Sequence, residues 1–204
     1  MFNRKTLRRV MTAGLLLANL GLLVIYLSAW VNPHAQNSRK TVVRPPTLAK
    51  EPVEITIEHR GQPVKANEEF EGDADWVKNL KLRLKNTSDK TITYLLLDLD
   101  FPETVPSTAR VAQRQIAFGR GPDNQATRPA LRLRPGETME LRLDTEYDGI
   151  RALVTRALPV ESVSKMVVRL HQVMFDDDTL FSSGSMYRRN PDAADPHKWV
   201  KIGN

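Results

Sequence analysis

Two hydrophobic patterns divide this chain. From residue 10 to 31 apolar residues run without alternation; the 22-residue stretch carries no charge, and 17 of its residues are apolar. A helix of that length rises about 33 Å, enough to cross a bilayer core. From Val53 onward the period is two. Val53, Ile55 and Ile57 alternate with Glu54, Thr56 and Glu58, and Leu80, Leu82 and Leu84 alternate with Lys81, Arg83 and Lys85. This is the pattern of strands with one face buried and one face wet.

Turn chemistry separates the strands. Residues 86–90 (NTSDK) form a turn cluster, because Asn, Ser and Asp bond their own backbone there. Residues 92–101 (ITYLLLDLDF) are apolar on both parities. That predicts a strand buried on both faces, or a bulge near Leu95–Leu97 that switches the parity. Further strands are predicted at 114–118, 131–134, 139–143, 163–175 and 180–187, with Pro135-Gly136 and residues 176–179 as turns. One helix is expected over 147–158, where Ile150, Leu153, Val154 and Ala157 share a face. The expected architecture is an all-β sandwich of seven to nine strands with one short helix, preceded by a single transmembrane helix. Its parts are a basic tail (1–9), a signal anchor (10–31), a Pro-rich linker (32–52), the β domain (53–187) and a C-terminal tail (188–204).

The linker holds four prolines and no periodic apolar pattern, so it reads as an extended spacer. Its Arg39, Lys40, Arg44 and Lys50 are alternatively contacts for anionic headgroups. The C-terminal tail either docks on the domain through Trp199, Val200 and Ile202 or serves as a disordered peptide for a partner.

Charge sharpens the picture. The formal net charge is +6, but residues 1–9 carry four basic and no acidic residues, and 32–52 carry four basic against one acidic. Residues 53–204 hold 22 basic and 23 acidic residues. A nucleic-acid-binding body would keep the excess itself, so no nucleic-acid partner is expected. The basic tail places the N-terminus in the cytoplasm and the β domain outside an inner (plasma) membrane, periplasmic or extracellular. A cleaved signal peptide is the rival reading. Its apolar core is usually about 7–15 residues with small residues before the cut, whereas Leu27 or Pro33 would stand at the −3 position here. The chain has no cysteine and four scattered histidines, which excludes disulfide frameworks, thiolate metal sites and thiol catalysis.

Several residues carry candidate chemistry. The acidic run Glu68, Glu69, Glu71, Asp73 and Asp75 gathers oxygens of the kind calcium takes, without the EF-hand spacing. Asp176, Asp177 and Asp178 suit a turn, and their mutual repulsion invites a cation or an arginine. Asp98 and Asp100 are expected as their neighbours. Trp76 and Trp199 either stack on a sugar or a partner group or fill the core. Lys81, Arg83, Lys85, Arg132, Arg134 and Arg142 line the outward parity of three strands. They form either a basic face for an anionic partner or a solvated face paired with Asp98, Asp100, Glu137 and Glu140. Ser182, Ser183 and Ser185 lack the G-x-S-x-G elbow, although His171 is near in sequence. Asn86-Thr87-Ser88 matches an N-glycosylation acceptor.

Two motifs carry a resemblance. Lys85-Asn86-Thr87-Ser88-Asp89-Lys90-Thr91-Ile92 follows a Leu-alternating strand, and Leu133-Arg134-Pro135-Gly136-Glu137 precedes another. Over residues 53–187 the chain resembles bacterial extracytoplasmic immunoglobulin-like domains, in which the first motif is a hairpin corner and the second a turn entering a late strand. The resemblance implies architecture and transfers no catalytic residues. The expectation is a membrane-anchored, non-enzymatic interaction or structural module of a cell envelope, with a protein partner and the lipid bilayer as contacts. The alternative is a carbohydrate- or calcium-binding domain using the acidic loops and tryptophans, and a hydrolase comes third. No catalytic, cofactor or metal-ligating residue is assigned.

Overall fold

Alternation at period two gives strands where expected, and backbone pairing adds others. A computed structural model describes residues 38–46, 50–122, 130–191 and 199–202, all within the unit 37–204. The basic tail and the 10–31 segment lie outside the described residues. Among those described, no helix is long and apolar enough to cross a membrane.

Twelve strands occur among the described residues: β1 (Ser38–Val43), β2 (Val53–His59), β3 (Gln62–Val64), β4 (Glu69–Gly72), β5 (Leu80–Asn86), β6 (Ile92–Phe101), β7 (Ala112–Gly119), β8 (Thr138–Arg142), β9 (Lys165–Phe175), β10 (Thr179–Ser182), β11 (Ser185–Arg189) and β12 (Trp199–Ile202). Among the described residues the one helix longer than a single turn, α1, runs Tyr147–Val154. The protein is all-β, with two sheets. The smaller sheet is antiparallel in the order β3-β2-β5-β8. The larger is built on β9, which pairs with β6 along one edge, and β6 pairs in turn with β7.

Leu80, Leu82 and Leu84 are buried on the inner face of the small sheet, as their alternation predicts. Leu95, Leu97, Leu99 and Phe101 of β6 are fully buried and join them in one core with Ile116, Val168 and Val173. The ambiguity in β6 resolves as a strand buried on both faces, with its change of parity at Thr93, where the register shifts between Ile92 and Tyr94, and not near Leu95–Leu97. Every β6 residue except Thr93 is buried, and its register against β9 shifts again between Leu96 and Leu97. Leu96 faces Gln172 and Leu97 faces Leu170, so the extra residue is His171 on β9. A bulge of this kind re-aims the side chain it carries.

The domain starts earlier than residue 53. Residues 38–43 form β1, which pairs antiparallel with β4 and parallel with the start of β9. The linker reading is corrected over these residues. Lys40 and Val42 point inward, and a lysine at an inward position erases the apolar alternation. The headgroup reading is corrected for Lys40, which the strand turns inward. Lys40 is 2% exposed and its Nζ donates to the Val163 carbonyl at 2.8 Å. Arg44 pairs with Glu51, and Arg39 with Glu69.

Two further boundaries differ from expectation, and the tail takes the docking alternative. Residues 131–134 make only an isolated bridge, Leu133 to Ile92, because Pro135 and Gly136 turn the chain at once. Residues 69–72, read as irregular, form β4, whose partner supplies the order its acidic sequence lacks. The C-terminal segment pairs with the domain, since Trp199–Ile202 is hydrogen-bonded along β11.

Lys40 makes a pH-dependent contribution. Burial pushes its ammonium below the ordinary lysine value, and Glu103 and Asp73 pull partly back. Between the lowered folded value and the ordinary value the unfolded chain binds more protons. Stability therefore rises with pH across that window. Lys40→Met keeps most of the stem's packing and removes the buried charge, and Trp76 Nε1 still donates to the Val163 carbonyl. The variant is expected to be neutral or stabilised by up to about 2 kcal/mol near neutral pH. It should also lose the rise expected of the parent as pH approaches the ordinary lysine value. Urea denaturation across that window checks both.

Candidate functional site

The larger sheet forks at β9. Its second edge is taken at one end by β1, against residues 165–167, and at the other by β10, against residues 172–174. Between them residues 168–171 lie in the crotch of the fork. Arg44, just past β1, reaches across and donates from Nη1 to the Val168 carbonyl at 3.1 Å, while its Nη2 holds Glu51. On the far side the Ser183 N–H donates to the His171 carbonyl at 3.3 Å. The crotch opens into a cleft of about 480 Å³ lined by Arg44, Asp98, Arg169, His171, Ser183 and Ser185, among others.

A second cleft, of about 600 Å³, adjoins it. Glu51, Phe181, Gly184 and Ser185 line both, so the two clefts meet at the β10–β11 hairpin and form a two-part trough there. That hairpin turns on Ser183 and Gly184, at φ of +48° and +82°. Positive φ at both central residues is the two-residue turn that matches strand twist. The second cleft has an apolar floor of Phe175, Phe181, Met186 and Ile202, and Lys50, Lys90 and Lys201 stand among its lining. Both volumes fall in the range of ligand-sized clefts.

The polar wall is built on the outward face of β6. Asp98 and Asp100 alternate with the core leucines and are nevertheless 3% and 4% exposed. His171 Nδ1 lies 2.8 Å from Asp98 Oδ2, and Gln115 Nε2 donates to Asp98 Oδ1 at 3.0 Å. Arg169 pairs with Asp100 Oδ2, and Asp100 Oδ1 is buried without a partner. The carboxylate of Asp98 thus orients the bulged imidazole. An aspartate–histidine pair beside serines is also part of a hydrolytic triad. Among the described residues, however, no hydrogen bond joins the His171 ring to the Ser183 or Ser185 hydroxyl.

The residues singled out from sequence fall in four places. Lys81, Arg83 and Arg142 lie on the outer face of the small sheet with Lys85. Glu58 and Glu140 interleave with them; Lys81 reaches Glu58 at 2.7 Å, and Arg83 reaches Glu58 at 2.9 Å and Glu140 at 3.1 Å. The bond from Lys81 holds the Glu58 carboxyl below its usual range, and Glu58 raises Lys81 in return. Arg132 and Arg134 flank the Leu133 bridge and are not part of that sheet. Asp98 and Asp100, expected as partners of these cations, stand on the other sheet, and Glu137 bonds the Arg134 N–H.

Asp176, Asp177 and Asp178 make the β9–β10 turn. Asp177 accepts from the Thr179 N–H and hydroxyl and pairs with Lys90 at 2.7 Å, while Asp178 sits at a φ of +59°. Partial burial works to raise the Asp177 carboxyl, and the bonds from Lys90 and Thr179 outweigh it and hold it low. Asp98 and Asp100 are not neighbours of this turn; Asp98 pairs across to Arg169, well along β9 from Phe175.

Trp76 is fully buried, its Nε1 donating to the Val163 carbonyl at 2.8 Å, so it offers nothing to a ligand. Trp199 is half-buried on β12 beneath the Arg189 guanidinium. The acidic run is divided among partners: Glu69 with Arg39, Asp73 with Arg60, and Asp75 with the Tyr147 hydroxyl. Burial, helped by that bond, pushes Tyr147 up to about 12. Among the described residues no group of three or more acidic or histidine side chains is placed to hold a metal ion. Asn86 is 0% exposed with its Nδ2 engaged, so the folded chain presents no glycan acceptor there.

Sequence reasoning missed the trough itself. Phe175, Phe181, Met186 and Ile202 read as ordinary core positions, and only the fork in the large sheet brings them to one floor. The doublet at His171 and Gln172, which breaks the alternation of β9, was the signal available for the bulge. The chain matches no family model, no curated protein and no solved structure.

Proposed function

We propose that this is a single-pass membrane protein whose β domain works outside the cytoplasm as a non-enzymatic interaction module of a cell envelope. Residues 10–31 serve as the anchor, with the basic tail held inside by the positive-inside rule. The domain is read as an immunoglobulin-like sandwich. The pairing of β5 with β8 in one sheet and of β6 with β9 in the other supports that reading. With β1 starting at Ser38, six residues separate it from the anchor.

The observation that carries the reading is the two-part trough beside the β10–β11 hairpin, with an apolar floor and a polar wall. Apolar side chains recessed in a cleft and framed by polar groups suit the anchor side chain of a protein partner. The ligand-binding alternative is weakened at Trp76, which is internal, and at Asp73 and Asp75, which bond Arg60 and Tyr147.

Site-specific photocrosslinking in native membranes tests the reading. A photoreactive side chain is placed at Ser88, Met186, Lys85 or Gln115 of the full-length chain. The expected result is one envelope protein captured reproducibly from neighbouring positions. Absence of a reproducible adduct from any of the four would contradict it.

A further inference from the structure

The charges around the trough are unevenly settled. Arg44 faces Glu51, Arg169 faces Asp100, His171 faces Asp98 and Lys90 faces Asp177. Lys50 and Lys201 line the larger cleft without an acidic partner among the described residues, and both are exposed. Asp89 is the acid on the same rim that also lacks a described partner, so the balance left for a visitor is positive. Beneath the lysines lie Phe175 and Phe181, each 3% exposed, and the half-buried Met186 and Ile202.

We propose that the trough binds an extended segment of a partner protein, an apolar side chain seated on the Phe181 floor and a neighbouring carboxylate drawn to Lys50 and Lys201. The inference rests on the reading of the domain as an interaction module and names its surface and the chemistry of its partner. An apolar anchor in a desolvated pocket supplies the affinity, and rim charges steer the encounter and choose the sign of the partner. Thr87, Ser88, Ser183 and Ser185 line the two clefts and offer hydroxyls to the segment's backbone. The shared lining residues make a track longer than one side chain, which suits a chain segment.

Fluorescence anisotropy with the full-length chain in detergent micelles tests this. The probe is a dye-labelled peptide, Ser-Leu-Phe-Asp-Glu-Ser. One control replaces Asp-Glu by Lys-Lys, and a second replaces Leu-Phe by Ser-Ser. The acidic apolar peptide should bind at least about tenfold tighter than either control, and Lys50→Glu with Lys201→Glu should erase its advantage over the basic one. Met186→Asp should weaken it similarly. These three residues are exposed or half-buried, so the variants keep the fold; circular dichroism verifies that. Equal binding of the three peptides, indifference to the double charge reversal, or no binding of the probe would overturn the proposal. Partner capture from Lys85 without any peptide preference in the trough would sink this inference alone. Failure of capture from every position would sink the module reading beneath it.

Discussion

Trp76→Ala is expected to lower stability by about 3–5 kcal/mol, the cost of emptying a large buried aromatic site. The side chain is fully enclosed and meets Phe70 edge-on at 5.7 Å between ring centres. The Lys40 Nζ lies 5.9 Å from the indole. The indole N–H and the Lys40 ammonium share one acceptor, the Val163 carbonyl at the entry to β9. Trp76→Phe keeps most of the volume and should cost about 1–2 kcal/mol, because one donor remains. Combined with Lys40→Met it orphans that carbonyl, so the double variant should lose more than the two changes summed. Guanidinium denaturation of the set gives the coupling directly. A Trp76→Ala loss below about 1 kcal/mol would contradict this packing.

Asn86→Ala should cost about 3 kcal/mol through hydrogen bonds alone. The Nδ2 donates to the Lys90 carbonyl at 2.8 Å and to the Leu133 carbonyl at 2.9 Å. Its Oδ1 accepts from the Ser88 N–H at 3.0 Å and the Ser88 hydroxyl at 2.7 Å. The backbone of Asn86 also bonds both ways with the second turn, to the Glu137 carbonyl and from the Gly136 N–H. One buried amide therefore ties the 86–90 corner to the 133–137 turn. Truncation removes four hydrogen bonds at once; the Leu133 carbonyl keeps the Ile92 N–H and the Lys90 carbonyl keeps the Ser88 hydroxyl, while the Ser88 N–H loses its acceptor. Hydrogen exchange should quicken at Ser88, Ile92, Leu133 and Gly136 before the rest of the domain. Uniform acceleration across both sheets would mean that Asn86 does not act locally.

These two residues show what the sequence made legible. Both motifs that carried the resemblance are turns, but the first is not the corner of a hairpin: β5 and β6 lie in different sheets, and the 86–91 turn crosses between them. That Asn86 binds one to the other was invisible, because the contact spans 47 positions. Period-two leucines in β5 declared their sheet, since an amphipathic strand writes its burial into alternate letters. β1 and β4 declared nothing. An inward lysine and a run of glutamates break the alternation, and both strands are held by pairing with each other. The candidate site was least legible. Its floor comes from ordinary apolar positions on β9, β10, β11 and β12, and only the fork between β1 and β10 leaves them open.

The whole account depends on the domain standing outside the cytoplasm on an uncleaved anchor. The chain has no native cysteine, so a single introduced thiol reports its own side of the membrane without background. Glu54→Cys places one on the exposed face of β2, and Asn3→Cys places one in the basic tail. Each full-length variant is expressed in bacterial cells, converted to spheroplasts and treated with a membrane-impermeant maleimide before and after lysis. The account predicts that the Glu54 site labels before lysis, that the Asn3 site labels only after it, and that the labelled protein keeps its full mass. Labelling of the Glu54 site only after lysis would contradict it.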